Sequence, residues 1–234
     1  PDPREVEMMS GYTGDVTPGG PPAVRELPHL TITKVSVGPM DNNAYFLRDT
    51  ATGDGAWHVI RTLLPDLLPD TEQATVAIQG FGNAGQVLAT RLHEAGHRVV
   101  AVSDSRTALH NPEGIDVPAA RAAKADGQLK ANGAQEISQE ELLALDVDLL
   151  CPSALENAID EGNAGDVRAK VIFEVANGPV TAAADAILEE AGVVVVPDIL
   201  VNAGGVTVSW FEWVQNRTGL PWGADEVAER LEEK

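Results

Sequence analysis

TVAIQGFGNAGQVLATRLHEAG, residues 75–96, passes from a short apolar run through Gly80-Phe81-Gly82-Asn83-Ala84-Gly85 into a stretch with apolar residues at helical spacing, Val87, Leu88 and Leu92. The middle fits G-x-G-x-x-G, a weak signal by itself in a chain with 22 glycines. Its setting makes it specific. A strand precedes it, a helix follows, and a second apolar run, RVVAVS, leads to an acid, Asp104, about twenty residues on. In that setting Gly80 permits a tight turn, Gly82 lets backbone approach a pyrophosphate, and Gly85 lets helix and strand pack closely. Unpaired N–H groups at the helix start then hold the phosphates. A carboxylate at Asp104 accepts hydrogen bonds from ribose hydroxyls, which favours NAD and makes NADP the lesser expectation, while Arg106 nearby offers a partner to a 2′-phosphate.

Outward from this turn the chain alternates strands and helices. Short, continuously apolar runs at 75–79, 98–103, 148–151, 170–173 and 193–197 predict strands buried on both faces. Helical spacing predicts helices over 56–68, 86–95, 117–125, 140–145 and 182–191, then a helical region from Ile199 through SWFEWVQN and a charged stretch to the end. This pattern predicts an α/β fold, a doubly wound Rossmann-type, mostly parallel sheet, over 56–234. Residues 1–55 read as an irregular Pro- and Gly-rich arm to about residue 28, followed by a β-hairpin, LTITKVSV and AYFLR around a GPMDNN turn.

The 36 acidic against 16 basic side chains give a net charge of −20, a field that repels nucleic acid and anionic membranes. No run of apolar residues is long enough to span a bilayer, and the start, PDPREVEMMS, lacks the order of a signal peptide. The expectations are no nucleic-acid partner, no membrane and a cytoplasmic location. An anionic ligand must then be held by local backbone dipoles against the overall field. His93-Glu94-Ala95-Gly96-His97 satisfies the zinc motif H-E-x-x-H, but Gly96 falls where the helix should stop, which takes His97 off the face of His93, so no metal is expected. Trp210, Phe211 and Trp213 read as core packing, and the lone Cys151 as a small buried apolar residue.

The strings VAIQGFGNAG (76–85), VAVSDS (100–105), NPEGIDV (111–117), CPSALENAI (151–159), FEVANGPVTAAAD (173–185) and VVPDILVNAGGVTVSWFEWVQN (195–216) resemble, in order, the cofactor domain of the glutamate, leucine, phenylalanine and valine dehydrogenases, most closely glutamate dehydrogenase. The resemblance covers about 56–234. It implies that Gly80, Gly82, Asn83, Ala84 and Gly85 cradle the pyrophosphate, that Asp104 and Ser105 meet the adenosine ribose, and that Pro152, Ser153 and Ala154 flank the adenine and ribose side. By the same resemblance Asn177 and Asn202 approach the nicotinamide, Thr52 in RDTATGDG contacts its amide, and Val206 and Ser209 shape the amino-acid side-chain pocket. Asn177 and Asn202 also each follow an apolar strand, where ligands gather in parallel sheets. Read as residues alone, the alternative is that Asn177-Gly178-Pro179 is a turn and Asn202-Ala203-Gly204-Gly205 a loop leading into a helix.

The family's reaction passes hydride from the α-carbon of an amino acid to the nicotinamide, after which water hydrolyses the imine to a 2-oxo acid. A lysine and an aspartate from a preceding substrate domain do the acid–base work, in lysine- and glycine-rich strings. Lys34, Lys124, Lys130, Lys170 and Lys234 stand in no such string, so no catalytic residue is assigned and the substrate domain is expected to be missing. Residues 27–55 instead resemble the opening strands of metallo-β-lactamase-fold hydrolases, without that family's H-x-H-x-D-H string. Two functional readings follow. One is an NAD-dependent glutamate dehydrogenase-like oxidoreductase acting on an amino acid or 2-oxo acid, with homo-oligomeric assembly allowed. The other is an inactive NAD-binding module or gene-fusion remnant.

Overall fold

The computed structural model describes the backbone over 23–27, 30–37, 42–49, 51–220 and 222–233, and side chains from residue 51 onward except those of Asn216 and Ala224. Two compact units divide at residues 50 and 51. In the first, β1 (Ala23–Leu27), β2 (Leu30–Val37) and β3 (Asn42–Asp49) form an antiparallel three-stranded sheet in that order. The expected hairpin is its second half, with Leu30 opposite Asp49 and Val37 opposite Asn42. The first strand lies in the stretch that read as a loose arm. AVREL has little strand signal of its own, but the edge of β2 supplies its backbone partners, Leu27 opposite Leu30 and Ala23 opposite Lys34. The rest of the arm, 1–22, and the hairpin turn, 38–41, lie outside the described residues.

The second unit is built on a seven-stranded sheet of order β10-β9-β8-β4-β5-β6-β7. Its strands are β4 (Thr75–Gln79), β5 (Arg98–Ser103), β6 (Ala108–His110), β7 (Gln135–Ile137), β8 (Leu149–Pro152), β9 (Val171–Phe173) and β10 (Val194–Val196). The five strands from β10 to β5 run parallel, and β6 and β7 continue the sheet antiparallel. Central strands are buried on both faces: Val76 and Ile78 point into one core with Leu88, Leu92 and Ile60, and Ala77 into the other with Leu142, Ile172 and Leu188. This is the doubly wound α/β arrangement that apolar runs without alternation predict. The antiparallel edge strands were not expected. Three residues apiece are too few for a period-two pattern to show.

Helices cover both faces: α1 (Ala51–Leu67), α2 (Asn83–Glu94), α3 (Val117–Ala125), α4 (Gln139–Leu143), α5 (Ala182–Glu190), α6 (Asp198–Val201), α7 (Ala203–Thr218) and α8 (Ala224–Glu232). Asp116, Ser138 and Thr181 cap α3, α4 and α5 through their side chains, and Ser138 forms a full capping box with Glu141. Helix α1 starts at Ala51, earlier than the spacing suggested, and takes in Gly53 and Gly55. A Cβ on Gly53 would lie 2.6 Å from the Ala84 carbonyl oxygen, and one on Gly55 2.7 Å from the Gly204 Cα. Close helix packing therefore explains these glycines, against their poor helix propensity. The C-terminal helical region is two helices, parted at Asn202. Phe211 is buried as expected, but Trp210 and Trp213 are 57% and 52% exposed and stack on each other with ring centroids 4.8 Å apart. They sit on the outer side of α7, where flat apolar rings cover one another in place of a core.

One carboxylate ties three strands at the edge opposite the glycine turn. Asp148 Oδ2 accepts from the Thr75 N–H at 2.8 Å and its hydroxyl at 2.9 Å, while Lys170 donates to Oδ1 at 2.7 Å. Burial opposes the charge, but the Lys170 ammonium and the Thr75 donors outweigh it and hold the carboxyl below its ordinary range. Such a group stabilises the fold above its unfolded pKa, and that contribution disappears as the pH falls through the lower, folded value. Asp148→Asn is therefore expected to cost about 1–3 kcal/mol at neutral pH. The gap from the wild type should close below about pH 4, as read by urea unfolding across that range.

Candidate functional site

Strand β4 ends at Gln79 and the chain turns at once, with Gly80 at φ +99, a conformation that suits glycine. A Cβ at Gly80 would also meet Ala154 at 2.8 Å, and one at Gly85 would lie 1.9 Å from the Gly80 carbonyl oxygen. Phe81 turns inward and is fully buried, anchoring the loop in the core. Gly82 is different. It is exposed, and a Cβ there would meet nothing within 4 Å. Gly82 is also the N-cap of α2, and no side chain caps that helix start. The first-turn N–H groups therefore have open space in front of them, the arrangement that binds phosphate.

The sheet reverses its winding between β4 and β8, and the residues leaving β8 and β9 meet there, at a topological switch point. Ser153 donates its N–H to the Gln79 carbonyl at 2.7 Å, and Ala176 donates to the Pro152 carbonyl at 2.8 Å, which draws the three strand ends together. Asn202, at the α6–α7 break, donates Nδ2 to Asn177 Oδ1 at 2.7 Å and to the Ala176 carbonyl at 3.3 Å. A cleft of about 640 Å³ results, lined by Thr52, Ser153, Ala154, Asn177, Asn202 and Val206 together with Leu155, Glu156, Val175, Ala176 and Gly205. Thr52 reaches it because the glycines of α1 let that helix start approach α2 and α7.

Asp104 follows β5 and is engaged within the protein. Its Oδ1 accepts from the N–H groups of Arg106 and Thr107, at 2.8 and 2.9 Å, and Lys124 of α3 donates to its Oδ2. Burial works against its charge, but Lys124 and the two backbone donors prevail and hold the carboxyl low. From the sequence, this carboxylate is expected to accept from the ribose hydroxyls. In the structure Oδ1 already accepts two bonds, and Lys124, whose nearness no spacing in the sequence signals, stands beside Oδ2.

Six of the residues singled out by sequence, Thr52, Ser153, Ala154, Asn177, Asn202 and Val206, line one cleft. Gly80 adjoins it through Ser153 and Ala154. Gly82, Asn83, Ala84 and Gly85 form the turn and helix start, Pro152 is buried beneath, and Asp104 and Ser105 lie at the end of β5. Ser209, exposed on α7 beyond Val206, is outside the lining. Leu155 and Glu156 were missed as lining residues although they stand inside the CPSALENAI string. The two histidines of the zinc motif are separated as expected: α2 ends at Glu94, Gly96 takes φ +89, and His97 accepts the Ala74 N–H on Nδ1 at 3.2 Å. Burial pushes the Cys151 thiol up to about 12, so it stays protonated and inert.

The family profile described as Glutamate/Leucine/Phenylalanine/Valine dehydrogenase matches residues 46–234. The chain belongs to this family. The NADP-specific glutamate dehydrogenase of Synechocystis sp. is 54% identical over 198 residues, 80% of this chain and 46% of its own length. The catabolic NAD-specific glutamate dehydrogenase RocG of Bacillus subtilis is 44% identical over 185 residues, 79% of this chain and 44% of its own. Among solved structures, the hetero-hexameric glutamate dehydrogenase from Thermus thermophilus in its Leu-bound form superposes with a TM-score of 0.73 at 36% identity, over 79% of this chain and 44% of that one. The chain thus spans about half the length of the curated relatives it matches. NAD-specific and NADP-specific members both stand among these glutamate dehydrogenase relatives.

The glycines of the turn separate by what a methyl group would touch. Gly85→Ala should destabilise by about 3 kcal/mol through its clash with the Gly80 carbonyl. Gly82→Ala should cost at most about 1 kcal/mol, the difference between glycine and alanine at an N-cap. Thermal unfolding of both variants checks the contrast.

Proposed function

We propose that residues 51–234 hold a nicotinamide dinucleotide along the C-terminal edge of the sheet and act as the cofactor half of a glutamate dehydrogenase-type oxidoreductase, in the oxidative deamination of an L-amino acid to its 2-oxo acid. The observation that carries this reading is the convergence of Thr52, Ser153, Ala154, Asn177, Asn202 and Val206 on one cleft beside the glycine turn. The open space over Gly82 and the uncapped start of α2 fit a diphosphate, which backbone N–H groups attract despite the chain's charge of −20. The chemistry that a bound dinucleotide would supply here is a hydride acceptor for oxidation at the substrate α-carbon.

Each residue then has a role in binding and orientation. Gly80, Gly82, Asn83, Ala84 and Gly85 receive the pyrophosphate, and Pro152, Ser153 and Ala154 flank the adenosine side. Both Nδ2 hydrogens of Asn202 are used within the fold, one on Asn177 Oδ1 and one on the Ala176 carbonyl. That leaves Asn202 Oδ1 as an acceptor and Asn177 Nδ2 as a donor, the complement of a carboxamide. Thr52 adds a hydroxyl on the same cleft, and Val206 and Ser209 are assigned to the amino-acid side chain. In the adenosine subsite Asp104 Oδ2 has lone-pair capacity for one ribose hydroxyl, and Ser105 adds a second group. We read the preferred cofactor as NAD, with NADP admitted because Lys124 and the exposed Arg106 offer cations to a 2′-phosphate.

The proposal extends to self-assembly, supported by the hexameric relative, and to a cytoplasmic setting, supported by the family. It treats this chain alone as binding without turnover, because its lysines lie outside the lysine-rich strings of the family. Calorimetric titration with NADH and NADPH tests the cofactor reading. Asp104→Ala should weaken NADH, whereas Lys124→Ala should weaken NADPH about tenfold and NADH far less, a difference worth one charge-assisted hydrogen bond. NADH binding by neither the wild type nor any variant would refute the site. Mixed with NAD and L-glutamate, the purified chain should give no NADH absorbance; a sustained rise would show that turnover needs no further residues.

A further inference from the structure

Glu174, the residue after β9, is 7% exposed and lies outside the cleft lining, yet both its carboxylate oxygens are committed. Oε1 accepts from the Val180 N–H at 3.1 Å, and Oε2 accepts from the Asp198 N–H at 2.9 Å. Asp198 in turn accepts from the Gly178 N–H on Oδ2 at 2.8 Å. The two acids therefore lace the 176–180 loop to the start of α6. These are the segments that carry Asn177 and lead to Asn202, whose side chains meet at 2.7 Å. Among the described residues no side-chain cation takes part. Among the described residues the charges that act on Glu174 are acidic, Asp198 from α6 and Asp185 from α5.

We infer that Glu174, relayed through Asp198, is a positioning residue that sets the Asn177–Asn202 amide pair for the nicotinamide end of the cofactor. The inference rests on the dinucleotide reading above. A carboxylate accepts on both oxygens, as the two N–H donors require. A glutamine presents its NH2 to one of the N–H groups and must release either the loop or the helix start, and a protonated acid, whose O–H oxygen is the poorer acceptor, loosens one of the two. The adenosine and pyrophosphate subsites share none of these bonds. Burial raises the Glu174 carboxyl, the Asp198 and Val180 donors pull it back, and the charges of Asp198 and Asp185 raise it again, with an upward net effect. Acidification should accordingly reproduce the effect of removing the charge.

The test compares NADH with ADP-ribose, which lacks the nicotinamide, by calorimetry on the whole chain. Glu174→Gln should weaken NADH about tenfold and leave ADP-ribose within about twofold. The wild type should lose its preference for NADH over ADP-ribose as the pH is lowered into the raised titration range of Glu174, and the variant should show no such fall. Equal loss of both ligands, or no change in either, would overturn the positioning role. If Glu174→Gln does not fold, Asp198→Ala, at a less buried position, carries the same test through the Gly178 contact. ADP-ribose binding by the wild type keeps the two readings distinct: if the wild type binds neither ligand, the dinucleotide reading fails first and takes this inference with it.

Discussion

Helix α2 must begin almost on top of the strand that precedes it. The Gly80 carbonyl occupies the space where a side chain at Gly85 would go, and the same approach recurs where Gly53 meets α2 and Gly55 meets Gly204 of α7. Three helix starts are thereby gathered at one end of the sheet. Backbone replaces side chains at each contact, so the N–H groups of α2 are left facing open space. The cleft depends on this. With ordinary side chains at these positions the helices would stand further apart, and Thr52, Asn177 and Asn202 would not share a wall.

Several of the acids are held by backbone donors. Asp104, Glu174 and Asp198 accept N–H donors at turns and element ends, Asp116 caps α3, and Glu141 returns to the Ser138 N–H. A chain with 36 acids and 16 bases has too few cations to pair every carboxylate, and backbone dipoles at turns and helix starts are the abundant alternative. Near the site this has a structural use. Glu174 and Asp198 hold loop geometry through backbone donors, whereas Asp104 also pairs with Lys124.

What the sequence made legible follows from how local each signal was. The glycine turn, β4 and β5 could be read because their meaning lies in contiguous residues and in apolar runs buried on both sides. Strand β1 could not, since AVREL becomes a strand only by lying along β2. The start of α1 was hidden by Gly53 and Gly55, whose reason is a contact with residues far along the chain. Trp210 and Trp213 suggested core by composition, but their place on the outer side of α7 depends on how that helix lies. Asn177 and Asn202 could be named from their strings, whereas the bond between them, and the acids behind it, join positions separated by about twenty residues and leave no spacing to read. Lys124 belongs to the same class: its importance comes from α3 passing over the end of β5.

The partnership of α1 with α7 sets an order of events during synthesis. Helix α1 closes over one face of the sheet, burying Ile60 and Leu64 there, while its Gly55 meets Gly204 in the first turn of α7. Along the chain those two helices stand before and after the whole seven-stranded sheet. A nascent chain thus emerges with an apolar helix whose sheet and distal partner have yet to be made, and loop closure over that distance is slow. The Rossmann core can assemble strand by strand, but its first helix must wait for nearly the last. Until then its apolar face is exposed, and that interval is where chaperone contact or premature association would act.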